Sequence, residues 1–371
     1  MDIIYDHGIF HQPYGGISRY FYEIITRLLK EKDVNIHLFM GLFLNRYGLE
    51  KSRVQYKSYW GCSVPAIPYT GRLRQYLNMA GWKLFQSKFG INSAKNFIYH
   101  PSYYSCSGLS QAQSVFTVYD FIHERYPDLF PDRGRTRMLK QKAFRRANSL
   151  ICISHSTKND LLEMYGEDIN CDIKVIYLGY SDLLNTINLN ITIPERPYFL
   201  FVGSRLGYKN FKCLAEAFAS SHYLVQNFML VCVGGRSFSS DEKRLFLDLK
   251  ISGSVIHFEG GDEILGVLYK NAVAFIYPSL YEGFGIPLLE AMSCECPVIA
   301  GNTSSIPEVT GDAALLFEPT SKDSLMEQLN SIVFDESLKK KMISLGKKRC
   351  QLFSWDECAK ETLAVYKNLI G

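Results

Sequence analysis

Short apolar runs alternate with helical segments along this chain, and the alternation starts twice in 371 residues. In the first half one such run precedes a helix whose N-cap is predicted at Ser156, and Tyr198–Val202 begins the second series. Apolar runs between helices are typical of parallel strands in a sheet that is covered on both faces. Residues 182–197 are rich in Asn, Thr and Pro and show no period, which indicates a linker. The pattern predicts an α/β protein with two Rossmann-like, doubly wound domains, at residues 1–182 and 190–352.

The composition excludes several classes of protein. Hydrophobic residues make up 47% and charged residues 21% of the chain, so there is ample core material and disorder is not expected. No apolar run reaches the roughly 18 residues that span a bilayer, so contact with a membrane would be peripheral. Ten cysteines without an apolar leader segment are typical of reduced thiols, which predicts a cytoplasmic protein. Cys294 and Cys296 have no second pair to complete a zinc site.

The charge is unevenly distributed. Residues 1–180 carry 23 basic and 15 acidic side chains, and the rest of the chain carries 18 and 22. Residues 51–100 contain eight basic side chains and no acidic one, interleaved with aromatic residues at 72–89. This pattern favours an anionic partner surface, either lipid head groups or a phosphorylated carrier. A solvated helix face beside core aromatics is the alternative, and nucleic acid is not expected because no nucleic-acid-binding motif accompanies the charge.

Two strand-to-helix turns have features that suit phosphate. Gly15 and Gly16 follow the first strand and precede a helix, where backbone amides and the positive helix end attract an anion. The turn lacks the spaced glycines of a dinucleotide fingerprint and the Gly-Lys-Ser/Thr of a Walker loop, and a structural turn is the alternative. The loop that starts at Gly203 occupies the equivalent place in the second half and contains Arg205 and Lys209. We expect these cations to clamp a diphosphate and to neutralise it as it leaves, with solvated loop charges as the alternative.

The segment Glu-Gly-Phe-Gly-Ile-Pro-Leu-Leu-Glu-Ala, residues 282–291, is the most specific in the chain. It places Glu282 in a glycine-rich loop after a strand and Glu290 about one turn into the next helix, since Pro287 suits an early helical position. A pair of carboxylates can bind vicinal hydroxyls, and exposed amides from Gly285 to Leu288 can bind phosphate oxygens. For Glu290 alone, a first-turn glutamate favoured by the helix dipole is the alternative.

Glu282 and Glu290 resemble the E-x7-E motif of glycosyltransferase family 4, whose members are retaining enzymes with the GT-B fold. The two phosphate loops and the closing Phe353-Ser354-Trp355 match the family pattern in order, so the resemblance covers nearly the whole chain. It implies two Rossmann-like domains that face a central cleft, the first binding the acceptor and the second the nucleotide sugar. Residues 353–371 would form a C-terminal helix that crosses back to the N-terminal domain.

The same resemblance implies a role for each candidate residue. Glu290 would grip the nucleotide ribose, and Glu282 would hold donor sugar hydroxyls together with nearby amides. Arg205 and Lys209 would bind the diphosphate, which Gly16 would allow the N-terminal loop to approach. The predicted catalytic residues are Glu282, Arg205 and Lys209, and the predicted donor-binding residues are Gly15, Gly16, Gly203, Gly283, Phe284, Gly285, Ile286, Leu288 and Glu290.

One position departs from the family pattern. Many members have a histidine at the end of the strand that here reads Phe-Thr-Val-Tyr-Asp, and this chain has Tyr119 at that place. Tyrosine can donate a hydrogen bond to a sugar or a phosphate, but it is not a cation at neutral pH. His123, about one turn later, is a candidate to supply the missing group, and a structural histidine is the alternative. Asp120 and Arg19 complete the candidates for contacts with the acceptor or the donor sugar.

These expectations combine into a predicted function. The chain is predicted to be a retaining hexosyltransferase that moves a sugar, with mannose favoured, from a nucleotide-diphosphate sugar to a saccharide or lipid-linked saccharide in surface polysaccharide synthesis, as in lipopolysaccharide O-antigen. The resemblance implies that the departing phosphate takes the acceptor proton and that no cofactor or metal is essential; the sequence has no Asp-x-Asp triplet. A nucleotide-sugar epimerase, a phosphorylase and a non-catalytic nucleotide-sugar-binding protein are the alternatives. We expect the protein in the cytoplasm, with the inner face of the cytoplasmic membrane as a candidate surface.

Overall fold

The computed structural model describes residues 1–89, 97–105, 109, 111–130, 132, 134–186, 193–205 and 207–371. Within these ranges the chain divides into two compact units, each with its own parallel sheet, which confirms the predicted α/β class. The first unit comprises Met1–Glu124, Phe130–Gly179 and Ser354–Gly371, and the second comprises Arg125–Leu129 and Tyr180–Phe353. Part of the linker predicted at 182–197 lies outside the described residues.

The described part of the first unit has a parallel sheet of seven strands. They are β1 (Asp2–Tyr5), β2 (Asn35–Phe43), β3 (Ser58–Ser63), β4 (Ile98–Tyr99), β5 (Gln113–Val118), β6 (Ser149–Cys152) and β7 (Asp172–Val175). Their spatial order is β3-β2-β1-β4-β5-β6-β7, so the direction of winding reverses between β1 and β4. Ligands of open α/β sheets bind at such a reversal, beyond the carboxyl ends of the strands.

Helices connect these strands, and one returns from the end of the chain. They are α1 (Gly16–Leu28), α2 (Gly71–Lys88), α3 (Ile122–Arg125), α4 (Arg135–Phe144), α5 (His155–Tyr165) and α14 (Trp355–Ile370). α14 packs against α1. A buried chain of hydrogen bonds also ties it to the sheet: the Tyr366 hydroxyl lies 2.5 Å from His100 Nδ1, and His100 Nε2 lies 2.9 Å from Thr117 Oγ1. Because these groups are buried and satisfied by one another, they fix the position of α14 within the unit.

The start of α5 differs from the sequence prediction, which placed the N-cap at Ser156. The cap is Ser154, whose side chain accepts a hydrogen bond from the Thr157 amide at 3.0 Å. Ser154 has an extended backbone (φ −157°, ψ 162°), as an N-cap requires, whereas Ser156 lies inside the helix. The prediction of the helix was right and its cap was wrong by two residues, because both positions hold serine.

The second unit has a parallel sheet of six strands within the described residues. They are β8 (Tyr198–Val202), β9 (Met229–Val233), β10 (Val255–Phe258), β11 (Ala274–Tyr277), β12 (Val298–Gly301) and β13 (Ala314–Phe317). The order β10-β9-β8-β11-β12-β13 is that of a Rossmann sheet, with its reversal between β8 and β11. The four central strands, β8, β9, β11 and β12, are almost wholly buried, as their unbroken apolar runs predicted, whereas the edge strands β10 and β13 are only partly buried.

Eight described helices cover this second sheet. They are α6 (Phe211–Ala219), α7 (His222–Asn227), α8 (Ser240–Asp248), α9 (Asp262–Asn271), α10 (Ile286–Ser293), α11 (Ile306–Thr310), α12 (Lys322–Phe334) and α13 (Glu336–Cys350). Phenylalanines from β8 and α6 form the centre of the core on one side, with the Phe201 and Phe211 rings 5.1 Å apart. Aromatic burial of this kind holds the loops that leave β8 and β11 on a rigid base.

Candidate active site

The carboxyl ends of β8 and β11 carry the two loops that the sequence singled out. Phe275 of β11 pairs with Leu200 of β8, so the two strands are neighbours at the reversal of the sheet. The loop after β8 contains Arg205 and Lys209, and the loop after β11 contains Glu282. The topology therefore brings the predicted cations and the predicted carboxylate to one edge of the sheet, although their motifs are more than 70 residues apart in the chain.

Lys209 and Glu282 form an ion pair at this edge. Lys209 Nζ lies 2.6 Å from Glu282 Oε1, and the two side chains are only 15% and 12% exposed. The ammonium group also lies 5.3 Å from the centre of the Tyr277 ring. Burial raises the pKa of Tyr277 well above its ordinary value, and the Glu282 carboxylate raises it further, so this phenol stays neutral and can donate a hydrogen bond. The two predicted catalytic residues thus hold each other in place in a largely desolvated site.

The loop that carries Glu282 is held by two serines that follow β12, the neighbour of β11. The Ser304 hydroxyl accepts a hydrogen bond from the Glu282 amide at 2.9 Å. The fully buried Ser305 hydroxyl donates toward the Glu282 carbonyl at 2.9 Å and the Phe284 carbonyl at 3.0 Å. Sequence reasoning missed both residues because their segment, Asn-Thr-Ser-Ser, is typical of an ordinary turn. Their place at the end of the next strand was the available signal.

A glycine makes the turn from this loop into α10. Gly285 has φ 108°, and a Cβ atom there would lie 2.8 Å from Leu288 Cδ1, so a side chain would strain the backbone and force Leu288 to shift. Pro287 occupies the start of the helix, as predicted. Among the amides predicted to bind phosphate, that of Leu288 already donates to the Gly285 carbonyl at 3.0 Å, and the Leu288 side chain is fully buried. The Leu288 amide is therefore already engaged within the protein and is not available as a free donor to a phosphate.

Glu290 lies one turn into α10, where the sequence placed it, and it is only 5% exposed. Its carboxylate is near Tyr269 of α9. Burial, and then Glu290, raise the pKa of that phenol well above its ordinary value. The Tyr269 hydroxyl is buried and has no hydrogen-bond partner in the part of the chain that the structure describes. Glu290 thus stands in a buried polar environment rather than on the surface of the helix.

The Arg205 guanidinium is already bonded to other groups of the protein, which the prediction of a diphosphate-binding cation did not include. Its Nε donates to Glu242 Oε1 at 2.5 Å, Nη1 to the Gly234 carbonyl at 3.1 Å and Nη2 to the Arg236 carbonyl at 2.5 Å. The guanidinium lies 4.9 Å from the centre of the Phe238 ring, and the side chain is 5% exposed. Burial alone would raise the pKa of Glu242, but the hydrogen bonds from Arg205 and the cap of α8 hold it below its ordinary value. A diphosphate would have to displace Glu242 or use the remaining N–H groups.

Four other predicted donor-binding residues of this unit lie in or beside these loops. Gly203 directly follows β8 and has φ 126°, and its amide donates to the Val233 carbonyl at 2.9 Å. The Phe284 side chain is buried and packs edge-to-face on Phe353, with ring centres 5.7 Å apart, so its side chain serves the core. Gly283 and the half-buried Ile286 flank this phenylalanine and the turn at Gly285.

In the first unit, Gly15 and Gly16 lie at the end of the loop that joins β1 to α1, with Gly15 as the N-cap of the helix. Gly16 is the first residue of α1, and a Cβ atom there would meet nothing within 4 Å. The first turn of α1 has no acidic residue, so the positive end of the helix is not neutralised locally. Arg19, one turn into α1, lies 5.7 Å from the centre of the Tyr47 ring. The turn is open and electropositive, which fits an anionic ligand.

A buried carboxylate that sequence reasoning missed anchors this turn. Asp6, directly after β1, accepts hydrogen bonds from the Ser102 amide at 2.8 Å, the Ser102 hydroxyl at 2.7 Å and the Tyr99 hydroxyl at 2.9 Å, and also from Ser105. The Ile9 amide in turn donates to the Ser102 hydroxyl at 2.9 Å. The loop after β1 is thereby fixed to the loop after β4. The signal for Asp6 in the sequence was an acidic residue at the carboxyl end of an apolar strand.

The residues around Tyr119, which replaces the histidine of the family pattern, are only partly exposed to solvent. The Tyr119 hydroxyl is buried, and its ring lies 6.0 Å from that of Tyr20. Asp120 is about one-third exposed, and its carbonyl accepts a hydrogen bond from Lys140 at 2.7 Å. The His123 ring lies 4.2 Å from the Phe130 ring, and its Nδ1 is buried without a partner among the described residues. Asp120 and His123 are both half-buried, and Asp120 Oδ1 already accepts a hydrogen bond from the Ile122 amide at 3.1 Å.

Comparison with known proteins agrees with this geometry. Residues 14–182 match the family model for Glycosyltransferase Family 4, and residues 189–349 match the model for Glycosyl transferases group 1. The chain belongs to glycosyltransferase family 4. It is therefore an enzyme of the glycosyltransferase class, as predicted, and this implies a nucleotide-sugar donor and a saccharide acceptor.

One relative and two solved structures resemble this glycosyltransferase over essentially its full length, and a second relative resembles it over part of the chain. It is 26% identical to O-antigen chain mannosyltransferase B of Escherichia coli, with all of both chains covered. It is 29% identical to O-antigen chain mannosyltransferase RfbU of Salmonella typhimurium over 59% of this chain and 60% of that one. Sucrose-phosphate synthase from Thermosynechococcus elongatus superposes with a TM-score of 0.74 at 21% identity, covering 100% of this chain and 99% of that one. WaaG, a glycosyltransferase involved in lipopolysaccharide biosynthesis, gives 0.70 at 17% identity and 99% coverage of both. These likenesses confirm the GT-B fold.

Proposed function

We propose that this glycosyltransferase moves a mannosyl group, with retention of configuration, from GDP-mannose to a lipid-linked saccharide in the synthesis of a surface polysaccharide of the O-antigen type. Two mannosyltransferases of O-antigen chains are among its relatives, one of them similar over the full length of both chains. The observation that carries the chemistry is the desolvated pair of Lys209 and Glu282 at the reversal of the second sheet.

In this proposal the second unit stabilises the leaving group. The bond between the anomeric carbon and the diphosphate oxygen breaks, and a bond to the acceptor oxygen forms on the same face of the sugar. The acceptor proton passes to the departing phosphate oxygen. Lys209 and the amides of Gly285 and Ile286, where α10 begins, stabilise the charge that builds up on the diphosphate, while Glu282 holds sugar hydroxyls and Glu290 holds the ribose. One such preorganised donor is typically worth about 3–4 kcal/mol of transition-state stabilisation.

The cation at position 209 gives the reaction a source of charge stabilisation that does not depend on a metal. We therefore propose that no metal or other cofactor is essential. Transfer should proceed at the same rate after treatment with EDTA and dialysis, and a rate that is restored only by added Mg²⁺ or Mn²⁺ would contradict this part of the proposal.

The substitution Glu282→Gln tests the reaction directly. It removes the negative charge while keeping the size of the side chain, so transfer should fall by at least about 100-fold, whereas affinity for GDP should change little. Glu327→Gln is the matched control, because Glu327 is exposed on α12 of the same unit. Unchanged transfer in the Glu282→Gln enzyme would remove Glu282 from the catalytic residues.

Donor turnover with and without acceptor separates this function from the alternatives. A transferase consumes the donor only when the acceptor saccharide is present, an epimerase converts the donor alone, and a non-catalytic binder does neither. Nucleotide sugars can first be compared by their protection against thermal unfolding, since a ligand at about 100 times its Kd adds about 2.7 kcal/mol to the free energy of unfolding. Protection by UDP-sugars but not by GDP-mannose would refute the proposed donor.

We also propose that the enzyme works as a peripheral protein on the inner face of the cytoplasmic membrane. No helix in the described ranges is both long and apolar enough to cross a bilayer. A lipid-linked acceptor and the basic character of residues 51–100 support this placement.

A further inference from the structure

Exposed apolar side chains are concentrated in one part of the first unit. Of the 18 large hydrophobic side chains that are exposed in the described chain, nine lie within residues 60–89, in β3, in the loop after it, in α2 and at the C-cap of α2. In that loop Ile67 is 56% exposed and Tyr69 is fully exposed. Scattered exposed hydrophobic residues are normal in soluble proteins, but a concentration of this kind marks a surface that binds an apolar partner.

The α2 helix is apolar on two opposite faces. Its inward face is fixed to the sheet: Phe85 packs 5.4 Å from the Phe39 ring, and Asn78 Oδ1 accepts a hydrogen bond from the Leu42 amide at 2.7 Å. These contacts prevent the helix from rolling to bury its other side.

The opposite face of α2 carries an apolar stripe at helical spacing. We call these four residues the outward stripe: Leu73, Tyr76, Leu77 and Leu84, which are 61%, 71%, 49% and 71% exposed. Positions three, four and seven apart lie on one side of a helix, so the four side chains form one continuous surface. The inward contacts fix the helix to the sheet, whereas each side chain of the stripe stays about half or more exposed.

Basic side chains border the outward stripe on both sides. At 100° per residue, Arg72 and Lys83 fall along one border of the stripe, and Arg74 and Lys88 along the other. No acidic residue occurs anywhere between residues 51 and 100. An apolar centre with cationic borders is the pattern of a helix that lies in the plane of an anionic membrane surface.

Other partners fit this surface less well. A second copy of the chain would bring the same cations face to face with no acid in the segment to neutralise them, and like charges at close range are repulsive. A nucleic acid would meet aliphatic leucines at the centre of the stripe, whereas sites for single strands place aromatic rings there for stacking. Lipid supplies both chemistries that the surface shows, acyl chains for the leucines and phosphates for the cations.

We propose that the outward stripe of α2 and the loop before it form a membrane-docking surface, with the leucines among the acyl chains and the flanking cations at the phosphates of anionic lipids. The proposal deepens the peripheral placement given above, and it is tested without donor or acceptor. It also implies a reason for the two apolar faces of α2: one attaches the helix to the protein and the other attaches the protein to the bilayer.

Vesicle binding by the full chain tests the surface. The wild-type protein should co-sediment with vesicles of phosphatidylglycerol and phosphatidylcholine in equal parts, and much less with phosphatidylcholine alone or at about 1 M salt. The triple variant L73Q/L77Q/L84Q should bind the mixed vesicles at least about 100-fold more weakly, because it removes three apolar side chains that would be buried in the bilayer. The variant R72Q/K83Q should lose about fivefold per neutralised side chain. All these positions face solvent, so circular dichroism and Tm should stay at wild-type values.

Matched controls come from the second unit. Leu247, Phe334 and Leu352 are 67%, 66% and 66% exposed, so L247Q/F334Q/L352Q changes polarity equally outside the stripe and should leave vesicle binding unchanged. K340Q/K341Q on the exposed side of α13 is the control for charge. The proposal is overturned if the wild-type protein ignores anionic vesicles or if the control triple weakens binding equally. It is likewise overturned if the stripe variant alters only the oligomeric state.

The test separates this surface from the proposed reaction. Transfer to a water-soluble acceptor saccharide should be the same in the wild-type and stripe-variant enzymes, since the stripe holds none of the proposed catalytic residues. Vesicle binding without any mannosyl transfer would leave the surface in place and refute the reaction. Mannosyl transfer without vesicle binding would leave the proposed reaction in place and refute the membrane-docking surface.

Discussion

Ser305 tests whether the loop after β12 sets the position of Glu282. Its hydroxyl is fully buried and shares one hydrogen between the Glu282 and Phe284 carbonyls, at 2.9 and 3.0 Å. In Ser305→Ala both carbonyls lose this donor, and leaving a buried group without its partner costs about 1–3 kcal/mol. We expect the free energy of unfolding to fall by about 2 kcal/mol. For a domain of roughly this size, 1 kcal/mol shifts Tm by about 2–4 °C, so calorimetry should show a drop of about 4–8 °C.

The same substitution should slow the reaction, because the freed loop carries Glu282. A misplacement of about 1 Å in a catalytic group can cost about 100-fold in rate. We expect kcat for mannosyl transfer to fall at least tenfold and the KM for the donor to change less, since the ion pair with Lys209 remains. Ser305→Cys keeps a weak donor and should recover part of both losses.

The control for Ser305→Ala is Ser331→Ala. The Ser331 hydroxyl donates to the Glu327 carbonyl at 2.9 Å on the exposed side of α12, where water can replace it, so Tm should change by less than about 2 °C. Wild-type Tm and kcat in Ser305→Ala would refute the inference that this bond is needed. A lower Tm with an unchanged kcat would show that the bond supports the fold but does not position Glu282.

Three further changes have directions that the structure fixes. Burial lowers the pKa of His100 to about 3, so below about pH 6.5 the unfolded chain takes up a proton that the folded chain excludes. The contribution of His100 to the free energy of unfolding is therefore complete above about pH 6.5. It is lost toward pH 3 at about 1.4 kcal/mol per pH unit. Denaturant unfolding at about pH 7 and pH 5 should therefore show a smaller difference in His100→Gln than in the wild type. Gly285→Ala should destabilise the second unit by about 1–3 kcal/mol, measured by calorimetry, because φ is 108° and the new methyl group would lie 2.8 Å from Leu288. Glu242→Gln should lower the donor KM because it frees Arg205 for the diphosphate, and a raised KM in steady-state kinetics would mean that Glu242 orients Arg205 for the donor.

The sequence predicted the elements well because their signals are local. An unbroken apolar run identifies a strand buried on both faces, and Pro287 marks a helix start without reference to any other part of the chain. The N-cap of α5 was misplaced because Ser154 and Ser156 are chemically equivalent and only the backbone conformation of the preceding loop distinguishes them. Boundaries depend on such conformations, which the residue pattern does not contain.

The candidate site was predictable where its functional residues directly follow a strand. It was less predictable where a residue's role depends on a contact with another part of the chain. Lys209 and Glu282 could be placed together from the topology of a doubly wound sheet. The bond between Arg205 and Glu242 could not, because Glu242 has a sufficient local explanation as the third residue of a capping box with Ser239. Ser305 is a similar case: its role comes from a neighbouring strand, and nothing in its own segment indicates it.

Both cations of the loop after β8 are already paired with carboxylates, and this bears on how the proposed site would bind a diphosphate. Lys209 and Arg205 are 15% and 5% exposed, so most of the cost of removing them from water is met in the folded protein. In the proposed reaction a diphosphate exchanges one anionic partner for another and does not strip water from a free cation, which is the advantage of a preorganised site. Release of Glu282 from Lys209 at that moment would free its carboxylate for the sugar hydroxyls. In the proposed reaction the ion pair would thereby couple binding of the diphosphate to binding of the sugar.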